Sequence, residues 1–187
     1  YAAFREDRGD PLPSLDIQYP DYAAWQRAWM HGERLAEQSA YWKRQLADAP
    51  VLLALPTDRA RPPLQSFDGA SVPVSLDEAA TRRLKTFAQD HGATLFMGVL
   101  AAWASVLARL SGQEDLVIGI AGANRGHVQT ESLVGFFVNS LALRIDLSER
   151  PDVATLLNRV RRVTVDAQVH QDLPFEQVVE AVKPPRH

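Results

Sequence analysis

The chain has 187 residues, 46% hydrophobic and 23% charged, with a formal net charge of −3. This balance is typical of one globular domain with a real core and excludes a disordered polypeptide. The pI of about 6.0 gives no basic field that would attract nucleic acid. The absence of cysteine excludes disulfides and thiolate metal sites, and it fits a cytoplasmic location. No apolar run approaches the roughly 20 residues that span a bilayer, so we expect no membrane partner.

The amino-terminal region is expected to pass from an irregular connector into helices. Residues 1–16 are mixed and contain prolines, which indicates a connector. Asp21 is predicted to be the N-cap of the first long helix, with Pro20 before it packing on Trp25 as a hydrophobic staple. We interpret Trp25 as a core residue. Gly32 is predicted to separate this helix from a second one that carries its own apolar stripe.

The segment between these helices and the next pair is predicted to be non-helical. The proline string at 56–63 removes backbone donors and restricts the residues that precede each proline, so it cannot form regular structure. Residues 70–76 are expected to be extended.

Two capped helices should follow in the middle of the chain. Asp77 is predicted to cap the first of them and Gly92 to end it; Thr94 and Gly112 should do the same for the second. Apolar residues cover more than half the circumference of the second helix. We therefore expect it to be central and largely buried.

The carboxy-terminal half alternates strands and helices. Residues 115–122 are predicted to form a buried strand, and an irregular loop then leads to a second strand at 133–144. A helix is expected from Pro151 and Asp152 to about residue 168, and a short one from 174 to 182. Long helices alternating with few, highly apolar strands favour an α/β protein of the α+β two-layer kind.

The strand at 133–144 carries one amide in an apolar row. By alternation Asn139 shares a face with Phe137, Leu141 and Leu143, while Ser140 lies on the opposite face. A buried amide without partners costs about 1–3 kcal/mol. Asn139 is therefore expected either to pin two elements together or to line a polar channel.

Sequence motifs for catalysis are sparse. The five histidines are not at metal-ligand spacing, so no metal site is expected, and neither a nucleophile elbow nor a P-loop is present. The glycine-rich residues 119–126 could be a phosphate cradle or a loop that needs glycine torsions. In either case Asn124 and Arg125 could reach a ligand.

The string at 170–176, HQDLPFE, has a local explanation. Asp172 can cap the last helix through the N–H of Phe175, because Pro174 has no N–H to offer. His170 falls at the end of the preceding helix, where a partly positive imidazole suits the helix dipole. Direct contact of His170 or Asp172 with a ligand is the alternative.

Several ordered motifs together identify a family. They are YPDYAAWQ at 19–26, LPTDRARP at 55–62, DLVIGIAGANR at 115–125, LVGFFVNSLALR at 133–144 and HQDLPFE at 170–176. In this order they resemble the condensation domains of non-ribosomal peptide synthetases, in which two chloramphenicol-acetyltransferase-like lobes enclose a reaction tunnel. The resemblance implies that residues 1–16 are the tail of the amino-terminal lobe. Residues 17–187 would then be an incomplete carboxy-terminal lobe.

The resemblance also implies roles for particular residues. The loop at 119–132 would form a floor under the active site, and Asn124, Arg125, Asn139 and Ser140 become candidates for the tunnel wall. Asp21, Trp25, His170 and Asp172 would be structural motif residues. The family's catalytic His-His-x-x-x-Asp-Gly string does not occur in this sequence and is expected upstream of Tyr1, so no catalytic residue is expected in this chain.

By resemblance, the intact domain would join donor and acceptor groups into an amide. The expected partners are the missing amino-terminal lobe, the upstream and downstream peptidyl carrier domains and an adjacent adenylation domain. The 4′-phosphopantetheine would be carried by the carrier domains, with no cofactor bound by this chain. Epimerisation, heterocyclisation and a non-catalytic recruitment platform remain alternatives. The piece alone should be inactive and should expose apolar surface.

Overall fold

The computed structural model describes residues 2–60, 62, 64 and 66–184. Tyr1, the last three residues and part of the predicted proline string lie outside the described residues. The helices are α1 Ala2–Arg5, α2 Tyr19–Trp29, α3 Gly32–Gln45, α4 Glu78–Asp90, α5 Leu95–Ser111, α6 Val153–Val169 and α7 Phe175–Val182. The strands are β1 Asp115–Gly122 and β2 Asn139–Asp146, with a short 3-10 helix at Val128–Thr130 between them. The predicted connector therefore differs from expectation in containing the single helical turn α1.

Three of the predicted helix starts are confirmed by their capping geometry. Asp77 accepts a hydrogen bond from the N–H of Ala80 at 2.6 Å. Thr94 and Asp152 accept equivalent bonds at the starts of α5 and α6, at 3.3 and 2.7 Å. Gly92 and Gly112 have φ of +65° and +71°, the left-handed conformation in which glycine ends a helix without a Cβ clash.

The start of α2 differs from the prediction. The N-cap position is Gln18, and Asp21 lies in the first turn, where its carboxylate accepts a hydrogen bond from the Gln18 N–H at 2.8 Å. Pro20 is inside that turn, where a missing N–H has no cost. The predicted N-cap at Asp21, with Pro20 before the helix, is therefore wrong by three residues. Asp21 still stabilises the helix start.

The sheet consists of one antiparallel pair. β1 and β2 run in register from Asp115 opposite Asp146 to Gly122 opposite Asn139. The predicted bounds of β1 are confirmed, but the strand is not buried as predicted, because only Leu116 of its eight residues is buried. β2 begins at Asn139 and not at Leu133. Residues 133–138 leave the ladder because Leu133 and Phe137 are buried in a separate cluster with Tyr22.

The main core lies where the helices meet the sheet. α6 packs on β2, α5 on α4, α6 and β1, and α3 on α7. Leu143 and Val160 are fully buried and Trp42 is 1% exposed; the Trp42 indole N–H donates to the His170 carbonyl at 2.9 Å. Long helices packed on a small antiparallel sheet confirm the expected α+β class.

Helix α5 is less buried than predicted. Its inner face contributes Leu100, Ala104 and Leu107 to the core, but Phe96, Trp103 and other apolar residues of its outer face are exposed by about half. Among the residues that the structure describes, no single helix is long and apolar enough to cross a membrane. By length and composition alone α4 and α5 would suffice together, with a bend of 103° between them.

Candidate functional site

A second, small aromatic cluster ties α2 to the loop that precedes β2. The Phe137 ring lies 4.7 Å from the Tyr22 ring and 5.3 Å from the Tyr19 ring, centroid to centroid. The Tyr19 hydroxyl donates to the Phe136 carbonyl at 3.0 Å. Edge and tilted contacts of this kind add roughly 0.5–1.5 kcal/mol beyond burial. The loop conformation is thus set by contacts with α2.

Gly135 allows the closest approach between this loop and α2. A Cβ at this position would lie 2.7 and 2.9 Å from two carbons of the Tyr19 ring and closer still to a third. Real Cβ atoms do not come this near, so any side chain would displace the tyrosine. Gly126, in the same loop, has nothing within 4 Å of an added Cβ.

Asn139 joins the start of β2 to the loop between α6 and α7. It is 9% exposed, and its amide nitrogen donates to the carbonyls of Gln171 at 2.7 Å and Leu173 at 2.8 Å. Its oxygen accepts from the N–H of Phe175 and of Ser140, each at 3.0 Å. The amide therefore has all its polar atoms bonded within the protein, and it pins two elements together.

This arrangement overturns the predicted cap of α7. The Phe175 N–H is bonded to Asn139, so Asp172 does not cap the helix through it, and Pro174 occupies the N-cap position. The difference arises because a residue far away in sequence supplies the acceptor. Local spacing alone could not show this.

Arg125 is engaged with its own loop. Its guanidinium donates to the carbonyls of Thr130 and Leu133, the latter at 3.0 Å, and its Cζ lies 4.1 Å from the centre of the Phe137 ring. Thr130 is itself buried, and its hydroxyl donates to the His127 carbonyl at 2.6 Å. These bonds fold the segment after β1 back on itself.

Asn124 and Ser140 line a pocket beside this cluster. The pocket has a volume of about 230 Å³ and also includes Asn139 in its lining. Asn124 has φ of +50°, a left-handed conformation that asparagine tolerates better than most residues. Aromatic side chains of α2 and of the loop form its apolar side, namely Tyr19, Tyr22, Phe136 and Phe137. The structure brings three of the four predicted wall residues to one pocket. Arg125 is not among the residues that line this pocket.

Trp25 is not a core residue, contrary to the prediction. It is 39% exposed, stacks on Trp29 at 5.4 Å and meets the His127 ring edge-on at 4.8 Å. Trp25, His127 and Asp21 line a second pocket of about 440 Å³ between α2 and the same loop. Contacts with α2 and with the loop thus leave more than a third of the Trp25 side chain exposed.

His170 lies at the end of α6, as predicted, and makes structural contacts. Its Nδ1 is 2.7 Å from the Asp166 carbonyl oxygen, and its ring stacks on Tyr41 with centroids 3.8 Å apart. Burial raises the pKa of Tyr41 to about 12, so this phenol stays protonated at neutral pH. These contacts join α3 to the end of α6.

Asp172, in the loop between α6 and α7, is a half-buried carboxylate near His127 of the loop after β1 and Tyr22 of α2. Burial raises the pKa of Asp172, and the nearby charges of His127 and Arg34 oppose that rise. The same carboxylate contributes, after burial, to the raised pKa of Tyr22. A carboxylate with a raised pKa binds its proton more tightly in the folded state, so its ionised form costs stability at neutral pH.

We expect Asp172→Asn to raise the melting temperature at pH 7 by roughly 1–3 °C. Stability due to Asp172 falls as pH rises from the ordinary carboxyl pKa through the raised one. The gain should therefore shrink as the pH falls toward about 4, where the wild-type carboxyl is also protonated. Thermal melts of both proteins across this range measure it. Asp16→Asn, at an exposed position, serves as the control. A gain that does not depend on pH would contradict the electrostatic explanation.

Sequence reasoning missed the partners that shape the site. Tyr19 and Gly135 were inside recognised motifs, but nothing in either motif shows that they meet. Among the described residues, no group of three histidine, aspartate or glutamate side chains is placed to hold a metal ion.

Solved structures of similar fold indicate the class of domain to which this chain belongs. The X-domain from teicoplanin biosynthesis superposes with a TM-score of 0.89 at 32% identity, covering 98% of this chain and 42% of the X-domain chain. A second structure shows that X-domain in complex with OxyB. The condensation domain of the Monacolin K polyketide synthase MokA also superposes, with a TM-score of 0.76 at 25% identity, covering 95% of this chain and 42% of that chain. The fold is thus that of a condensation domain, and this chain spans less than half of each of these solved chains.

The family follows from the sequence match. The model of the condensation domain family matches residues 2–187, and this chain belongs to that family. Malpibaldin synthetase of Mortierella alpina is 63% identical over 186 residues, which are 100% of this chain and 3% of the synthetase. A linear gramicidin synthase of Brevibacillus parabrevis is 48% identical over 98% of this chain and 4% of its own length. The chain therefore spans only a small part of the curated relatives it matches.

Proposed function

We propose that this chain is part of a domain that forms an amide bond between aminoacyl or peptidyl groups held on carrier domains. Its relatives are peptide synthetases and the family match extends over the described fold, which together support this function. The groups would arrive as thioesters of 4′-phosphopantetheine on the upstream and downstream carrier domains. An adjacent adenylation domain would supply the activated amino acid.

The contribution of this chain would be one wall of the reaction tunnel. The observation that carries this assignment is the pocket at the start of β2, where Asn124 and Ser140 meet the aromatic cluster. Ser140 is exposed, while Asn139 behind it holds the strand to the α6–α7 loop. Such a wall orients a substrate, and orientation of two tethered groups can supply several kcal/mol of the barrier.

The general acid–base group would come from the amino-terminal lobe of the same domain. The sequence contains no pair of adjacent histidines. We therefore expect no amide product from the 187-residue chain with loaded carriers. In the intact synthetase, mass spectrometry of the carrier-bound product, combined with chiral chromatography of its hydrolysed residues, distinguishes the alternatives. An amide supports condensation, an inverted donor supports epimerisation, and a ring supports heterocyclisation.

One alternative has a specific observation behind it. The X-domain that superposes on this chain has been solved in complex with OxyB. A recruitment platform would show no amide product in the intact synthetase and would retain a separate protein in pull-down experiments.

We expect Ser140→Phe in the intact synthetase to reduce amide formation by at least about tenfold, because an aromatic ring would fill a pocket of about 230 Å³. Phenylalanine suits an exposed strand position, so the melting temperature should stay within about 2 °C. Product formation and melting are measured in parallel, with the exposed Ser71→Phe as the matched control. Unchanged turnover in the Ser140→Phe protein would overturn the wall assignment.

A further inference from the structure

We propose that Arg125 is a positioning residue, which clamps the loop at 123–138 so that Asn124 and Ser140 keep their places in the pocket wall. The proposal rests on the proposed function for its kinetic consequence. Its structural consequence can be measured without any reaction.

The guanidinium closes the loop through backbone acceptors. Nη1 donates to the carbonyl of Thr130 and, at 3.5 Å, more weakly to that of Glu131; Nη2 donates to the carbonyl of Leu133 at 3.0 Å. These acceptors follow Arg125 by five, six and eight residues. One side chain therefore holds together a loop that crosses from β1 to β2 and whose short 3-10 helix supplies little structure of its own.

The guanidinium also lies over a ring of the aromatic cluster. Its Cζ lies 4.1 Å from the centre of the Phe137 ring, and that ring is 3% exposed. A cation over the face of a buried ring is stabilised by about 0.5–2 kcal/mol. Through Phe137, the clamp is coupled to Tyr19 and Tyr22 of α2.

The clamp lies beside the pocket and outside its lining. Asn124, Phe137 and Ser140 line the pocket, whereas Arg125 does not. Asn124 directly precedes Arg125 and has φ of +50°, a conformation that costs free energy unless its surroundings hold it. Fixing Arg125 on both sides, by carbonyls and by a ring, keeps the adjacent asparagine in that conformation. Arg125 thus acts on the pocket through its neighbours.

Lysine cannot replace this arginine. The contacts require two separate nitrogens that point to different carbonyls and a flat surface for the ring, and an ammonium group supplies neither. If Arg125 instead contacted the substrate through its charge alone, lysine would serve nearly as well. Arg125→Lys therefore separates the two roles.

The experiment uses the intact synthetase with Arg125→Lys, Arg125→Met and Phe137→Leu. Hydrogen exchange in the peptide covering 126–138 is expected to accelerate about tenfold in both Arg125 variants, and less in Phe137→Leu. With aminoacyl N-acetylcysteamine thioesters as substrates, the KM of both Arg125 variants should rise about tenfold, while their kcat changes less than about threefold. Arg82→Lys, at an exposed ion pair with Glu78 of 2.6 Å, is the control and should leave both unchanged.

Two results would overturn the clamp. If Arg125→Lys keeps the hydrogen exchange and the KM of the wild type, Arg125 acts through its charge on the substrate and not as a clamp. A lowered melting temperature with unchanged KM and unchanged loop exchange would reduce Arg125 to general stability. If the wild-type synthetase forms no amide, the proposed function fails, while the exchange measurement still decides the clamp. If Arg125→Met does not fold, Phe137→Leu and Arg125→Lys carry the exchange comparison.

Discussion

Replacing Asn139 with alanine is expected to lower the free energy of unfolding by about 3 kcal/mol. The amide bonds the carbonyls of Gln171 and Leu173 and the N–H of Phe175, and alanine would leave one buried and two partly buried backbone groups without these partners. For a chain of this size, 3 kcal/mol corresponds to a melting temperature lower by roughly 6–12 °C. Urea titration and thermal melts measure both quantities.

The matched control is Ser140→Ala on the same strand. Ser140 is exposed, so its change should cost less than about 0.5 kcal/mol. Asn139→Asp should be at least as harmful as alanine. One carboxylate oxygen would replace the amide nitrogen and would face the carbonyl oxygens of Gln171 and Leu173 with no hydrogen to donate. If Asn139→Ala melts like the Ser140→Ala control, the amide does not join β2 to the α6–α7 loop in solution.

Gly135→Ala is expected to destabilise the protein by about 2 kcal/mol and to detach the loop from α2. The added methyl group would overlap the Tyr19 ring, so the ring must turn away and lose its hydrogen bond to the Phe136 carbonyl, which is 3.0 Å long. A melting temperature lower by roughly 4–8 °C follows for this chain length. Under the proposed function, amide formation by the intact synthetase should fall as well, since the displaced loop lines the pocket.

A double-mutant cycle isolates the contact. In a Tyr19→Ala background the ring is gone, and Gly135→Ala should then cost less than about 0.5 kcal/mol. Gly126→Ala controls for loop flexibility, because an added methyl group there meets nothing within 4 Å. Equal costs for Gly135→Ala with and without Tyr19 would show that the two residues do not meet as described.

The exposed face of α5 explains why burial was overestimated from the sequence. Phe96 and Trp103 are apolar and lie on a helix whose composition is that of a core helix, yet both are about half exposed. Composition shows that a surface is apolar; which element covers it depends on the tertiary packing. The expected exposure of apolar surface is present on this face. The boundaries of the two predicted domain segments, 1–16 and 17–187, stay predictions.

The sequence by itself determined the elements whose signals are local. Asp77, Thr94 and Asp152 each bond an N–H three residues ahead, and Gly92 and Gly112 supply a torsion that glycine adopts at little cost, so spacing and residue type suffice to place these helix ends. The ordered motifs were likewise enough to predict the family. Local rules failed at Asp21 and Asp172. The first long helix begins three residues before Asp21, with Gln18 as its N-cap. At Asp172, the N–H of Phe175 is bonded to Asn139, an acceptor that sequence spacing does not show.

Only the tertiary structure decided the shape of the candidate site. The acceptor of the Phe175 N–H is 36 residues away in the sequence, and the Tyr19 hydroxyl bonds a carbonyl 117 residues away. Periodicity extended β2 back to Leu133, but contacts of Phe137 with α2 remove that segment from the sheet. Such contacts depend on which elements come together when the core is buried, and a pattern within one element carries no information about its distant partner.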